Sequence, residues 1–230
     1  MQEFSLKAAP EVTVALRRSS RARRISLRVS SLDGRVTLTL PQGTSDRAGL
    51  AFAEDKARWL QKAIAGISAP VAVAVGQNVP VAGEETTIVA GQGRAARFCD
   101  GIIAAPPERA GPAVEALLKA MARDAFAEAV ARYSAALGKA SGRLTLRDTR
   151  SRWGSCSHEG NLMFSWRLVM APPRVLDYVA AHEVAHLKHM DHSAAFWACV
   201  ETLFPGHRAE RDWLRQHGAS LHRFRFRQGD

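Results

Sequence analysis

Residues 12 to 40 alternate between apolar and polar. Val12, Val14 and Leu16 stand two apart, with polar or small residues between them, and Ile25, Leu27 and Val29 repeat the pattern before Asp33-Gly34. Val36, Leu38 and Leu40 resume it. A period of two sets one face of a strand on a core, so these runs predict strands. The pair flanking Asp-Gly predicts a hairpin, ended by Pro41-Gln42-Gly43. Ser45 then caps a change of period. Leu50, Ala53, Ala57, Leu60 and Ile64 recur at helical spacing and predict a helix over 46–66, with Trp59 in or beside its core. Val71 to Val75, Thr86 to Val89 and Ile102-Ile103 are short, largely β-branched and bounded by glycine, which predicts three more strands.

Pro106-Pro107 and Gly111-Pro112 read as a boundary. Beyond them Val114, Leu117, Leu118, Met121, Phe126 and Val130 run without a breaker through 113–137, one long helix closed by Gly138 and Gly142. Leu144-Thr145-Leu146 begins another strand, and Leu162, Phe164, Trp166 and Leu168 alternate over 161–168. Pro172-Pro173 can open a helix whose apolar face, Val175, Leu176, Val179 and Ala180, extends to Leu187. The pattern describes an α+β chain in two parts: a β-rich 1–108 with one helix, and 109–230. No repeat or low-complexity segment interrupts it.

Composition adds less than pattern. A 47% hydrophobic content is ample for a buried core at 230 residues. Cys99, Cys156 and Cys199 are odd in number and too widely spaced for a CxxC pair, so they suggest neither a disulfide framework nor a thiolate metal site. The N-terminal residues lack a signal-peptide pattern and no run approaches the roughly 20 apolar residues that span a bilayer, so a cytoplasmic protein with no membrane partner is expected. The net charge is +10, carried by 26 arginines and 6 lysines. An arginine-dominated surface suits phosphate or carboxylate partners, though an alanine-rich chain of this kind also points to genomic base composition.

Chemistry concentrates at His182-Glu183-Val184-Ala185-His186. Two imidazoles four apart share one helical face, and the glutamate between them sits beside the metal they would hold, provided the segment is helical. The predicted helix meets that condition. A catalytic zinc takes three protein ligands and keeps a position open, so a third should follow shortly. His189 would lie about 10.5 Å from His182 along a continued helix, too far to converge easily. His192, beyond a chain reversal at Met190-Asp191, suits the geometry better. Zn²⁺ is the expected cofactor, with Glu183 as general base. Asp191 and Ser193 read chiefly as caps of a helix over 194–203, with orientation of a ligand imidazole as their other possible role.

Upstream stands a second signature, Ser151-Arg152-Trp153-Gly154-Ser155-Cys156-Ser157, followed by Gly160. With Asp177-Tyr178-Val179, HEVAHLKHMDHS at 182–193 and Phe196-Trp197, it closely resembles the YgjP-like metallohydrolase family, related in plan to SprT-like and WLM-type zincins. The likeness covers most of 110–217 and extends loosely to Arg17–Arg28. It implies a zincin-like minimal catalytic domain, a small antiparallel sheet beside the active-site helix, with His182, His186 and His192 as metal ligands and Glu183 as base. A metzincin would carry glycine where this chain has His189.

Three functions compete. In a metallopeptidase acting on a peptide or protein, Arg152 is the candidate for stabilising the oxyanion and Trp153 a candidate substrate contact. The strand at 161–168 would either line the cleft and pair with an extended peptide or lie inside the sheet. Arg143, Arg147, Arg150 and Arg152 could instead clamp a nucleoside triphosphate, as in a metal-dependent pyrophosphatase, an activity linked to some family members. A basic nucleic-acid-binding module with structural zinc would use Arg17 to Arg24 and residues 223–227 on phosphates. Three histidines and a spare glutamate favour a catalytic site over a structural one.

Overall fold

The computed structural model describes residues 2–30, 33–67 and 69–227. The chain divides into two compact units, Met1–Ala69 and Pro70–Asp230.

In the first unit, β1 (Gln2–Ser5), β2 (Thr13–Ser19), β3 (Ser26–Val29) and β4 (Val36–Pro41) form one sheet in the order β1-β2-β4-β3. β3 and β4 are the expected hairpin, antiparallel with Leu27 opposite Leu38, and Gly34 adopts the positive φ of 73° that its turn requires. Val14, Leu16, Val36, Leu38 and Leu40 point to one face, where they meet Ala53, Ala57 and Leu60. Those last residues come from two helices, α1 (Asp46–Asp55) and α2 (Ala57–Ala65), where the periodicity predicted one. At Lys56 the backbone N–H reaches back three residues to Ala53, which tightens the turn and breaks the axis while leaving the apolar spacing intact. Trp59, expected in or beside the core, is instead 51% exposed and lines a surface cavity with Leu27, Phe52 and Lys56.

The second unit begins with β5 (Val71–Ala72), β6 (Asn78–Val81), β7 (Glu84–Ala90), β8 (Arg97–Cys99) and β9 (Ile102–Ala105). β6 to β9 make a sheet in the order β6-β7-β9-β8, and Val79, Val81, Ile88 and Ile103 bury against the same core as Val114 and Leu118. The sequence boundary at 108/109 therefore falls inside this unit. The Pro-Gly cluster there opens the 28-residue α3 (Ala110–Leu137), and Gly111 is needed for contact: a Cβ on it would come 2.3 Å from the Phe226 carbonyl oxygen. α3 ends at Gly138 in the left-handed region, as its position predicts.

β10 (Leu144–Arg147), β11 (Gly154–Cys156) and β12 (Leu162–Ser165) follow, then α4 (Pro173–Ala185), α5 (Ala194–Leu203), α6 (Arg208–His217) and β13 (Phe224–Arg225), the last paired with β5. The small sheet runs β10-β12-β11 and is mixed, parallel between β10 and β12 and antiparallel between β11 and β12. β12 is thus the interior strand, and β11 forms the edge. β12 also stops at Ser165: Trp166 to Met170 form a 3₁₀ turn with every residue buried, so the alternation that continued through Leu168 carried no strand information. Phe126 of α3 stacks on Phe164 of β12, both fully buried, with ring centroids 4.1 Å apart. Among the described residues no helix is long and apolar enough to cross a membrane.

Arg167, 4% exposed, ties the end of the chain to the loop before β11. Its guanidinium donates to both carboxylate oxygens of Asp148 and to the carbonyls of Leu221 and Phe224. Beside it, His222 packs on Trp153 with ring centroids 5.2 Å apart. Burial, reinforced by the charge of Arg167, pushes the His222 imidazole from 6.5 down to about 4. The folded state thus refuses a proton that the unfolded chain accepts. Stability from this group is complete above pH 6.5 and is lost as pH falls toward 4, by roughly 3 kcal/mol. Denaturant unfolding across that range is expected to show the loss, and His222→Phe to remove most of it.

Candidate metal centre

α4 starts on Pro173, whose missing N–H costs nothing at a first helical position. Val175, Leu176, Val179, Ala180 and Val184 turn into the core. His182 and His186 then share the next face, and Glu183 lies between them in sequence. The regular helix ends at Ala185. Leu187 bonds back to Val184 and both Lys188 and His189 to Ala185, so the last turn tightens and the chain reverses. Asp191 accepts from the Ser193 N–H, and the Ser193 hydroxyl caps α5 by accepting from Phe196. Capping is the role these two residues show.

The reversal brings His192 Nε2 to 3.2 Å from His182 Nε2. One ring nitrogen from each of His182, His186 and His192 lies within 4.8 Å of the others. His189 is outside this group and contributes its main-chain carbonyl, which accepts from His186 Nδ1 at 2.8 Å. That bond fixes the proton on Nδ1 and leaves the His186 Nε2 lone pair free. His182 has no such brace. Its Nδ1 is buried without a hydrogen-bond partner among the described residues, and packing against Phe196, Trp197 and Tyr178 orients the ring. Phe196, wholly buried, touches all three imidazoles, with ring centroids 4.4 to 4.9 Å away.

The donor set fits a cation. Two nitrogens bonded to one tetrahedral zinc at about 2.0 to 2.1 Å stand about 3.3 Å apart, close to the separation of His182 and His192. Burial, and then the neighbouring imidazoles, lower His182 to about 3, and burial lowers His186. Neutral rings present lone pairs, the state a metal needs.

Glu183 is 5% exposed, and burial pushes its carboxyl up to about 8 against the opposing charge of Arg152. Gly154 of β11 makes room for it: a Cβ at that position would lie 2.6 Å from both Cγ and Oε1 of Glu183. On either side of β11, Trp153 and Ser157 bond across to Ser165 and Asn161 at the two ends of β12, so the main-chain groups of Gly154 and Cys156 face the other edge. Of the four arginines at 143, 147, 150 and 152, Arg152 is the one whose charge registers on Glu183. Trp153 is packed between His222 and Gly218, as a prop for the strand.

α6 carries no periodic signal, since it holds only Trp213 and Leu214 as large apolar residues in a charged run. Just before it, buried His207 stacks on both Tyr178 and Trp197 and bonds Glu201 through Nδ1 at 2.7 Å. This column backs His182. A lone histidine beyond the metal motif carried no spacing signal that could have identified it.

No curated protein matches the chain. A solved structure that aligns with it is the metallopeptidase zymogen of Pyrococcus abyssi abylysin, 25% identical over 40% of this chain and 92% of its own, with a TM-score of 0.36. The model of the YgjP-like metallopeptidase domain matches residues 23–217, a span that contains the three imidazoles, Glu183 and the Gly154 strand. The chain belongs to the YgjP-like metallopeptidase domain family.

Proposed function

We propose that the protein is a zinc-dependent metallopeptidase in which His182, His186 and His192 hold the ion and Glu183 is the general base. The observation that carries this reading is the convergence of three imidazoles beside a buried carboxyl group, in a chain of a metallopeptidase family. Bound there, zinc would supply Lewis acidity, polarising a carbonyl and making water acidic enough to attack at about pH 7, and its charge would offset the burial that raises Glu183.

The remaining parts come from the chain. An extended peptide pairs with the free edge of β11 through the main-chain groups of Gly154 and Cys156, which sets the scissile bond along α4. Glu183 takes the proton of the attacking water on a carboxylate oxygen and passes it to the leaving nitrogen. Arg152 offers positive charge on the same side for the oxygen that becomes negative. The nucleotide reading would require the arginines of 143–152 to converge on the site, and Arg152 alone registers there.

His192→Ala is expected to weaken zinc binding by more than about a hundredfold in competition with a chromophoric chelator, whereas His189→Ala should leave it within a few-fold. Glu183→Gln should retain the metal and lower the turnover of a peptide library by about 10² to 10⁴. Gly154→Ala must displace the Glu183 side chain, so it should behave like Glu183→Gln in turnover while keeping its zinc. If Gly154→Ala retains full turnover, the carboxylate does not act from the position it holds here.

A further inference from the structure

Arg211 lies one helical turn beyond His207 on α6, with its guanidinium carbon 4.6 Å from the centroid of the Trp197 ring. Trp197 in turn stands 5.6 Å from His182 and 5.9 Å from His192, ring to ring. The neighbouring acids are occupied. Glu201 accepts from His207 and from the Gly206 N–H, Glu210 pairs with Arg174, and Asp212 pairs with Arg215. Arg211 is exposed and has no carboxylate partner among the described residues. Stacking on tryptophan accounts for the ring contact. It leaves Arg211 a cation without an ion-pair partner among the described residues, on a helix whose own acids, Glu210 and Asp212, are paired elsewhere.

We propose that Arg211 is a specificity residue of the cleft, taking a carboxylate of the substrate two or three residues from the scissile bond. The inference rests on the peptidase reading. The reach follows from geometry: the two ring contacts carry Arg211 no more than about 10 Å from the imidazoles, and an extended peptide advances about 3.3 Å per residue. The chemistry follows from the guanidinium fork, which Trp197 steadies and which donates two parallel hydrogen bonds to a carboxylate. That carboxylate is supplied either by an aspartate or glutamate side chain or by the C-terminus of a short peptide.

The test uses the zinc-loaded protein with matched peptides that differ in one group: acid against amide side chain at each position, and free against amidated C-terminus. Wild type is expected to favour the acid about tenfold or more in kcat/KM at one position, and the position identifies the source. Arg211→Ala should bring that ratio close to one, Arg211→Lys should restore part of it, and Arg215→Ala on the same helix should leave it as in wild type. An acid-to-amide ratio that is equal in wild type and Arg211→Ala overturns the inference. Fluorescence anisotropy of the same labelled peptides on zinc-loaded Glu183→Gln reads the preference without cleavage. Peptides that bind with the Arg211-dependent preference but are never cut would contradict the peptidase reading alone; peptides that bind with no such preference would contradict the inference itself.

Discussion

Three lone pairs aimed at one point repel each other, and the rest of the catalytic unit is arranged to hold them there. The helical repeat of α4 sets two of them, and the tightened turn after Ala185 returns the third. Phe196 lies against all three rings, so none can swing away without opening a buried contact. The carbonyl of His189 fixes the tautomer of His186, while Ser193 secures the start of α5 and with it the position of Phe196. These contacts stabilise an arrangement that the imidazoles alone would not adopt.

Glu183 poses the complementary problem, a carboxylate kept from water. Its burial depends on the absence of a side chain at Gly154, and β11 is in turn held against α4 from behind, where Trp153 packs on Gly218 and His222. Arg167 anchors that C-terminal stretch and the loop at Asp148 together. The stretch from Gly218 to Phe224 thus reaches the base through a sequence of packed contacts.

The sequence made the metal motif and its helix legible because both obey the same 3.6-residue repeat, which also placed the long α3, while α5 was legible from the cap at Ser193. It also carried the β3–β4 hairpin, through alternation and an Asp-Gly turn. Where a segment is buried on all sides, periodicity lost its meaning, and Trp166 to Leu168 read as a continued strand for that cause. The edge position of β11 was hidden as well, since three residues beginning with glycine show no pattern and only pairing reveals which strand is outermost. α6 was missed because its surface is almost wholly charged, and with it went the His207 column and Arg211. Pro and Gly near 106–112 read as a domain boundary, whereas they serve a tight helix start against Phe226.

Diffraction data collected at the zinc absorption edge, from crystals of the zinc-loaded protein, test the central claim most directly. The account predicts one strong anomalous peak at about 2.0 to 2.1 Å from a ring nitrogen of each of His182, His186 and His192, with Glu183 outside the coordination shell. A peak that engages His189 or Glu183 in place of His192, or no peak among these imidazoles, would contradict it.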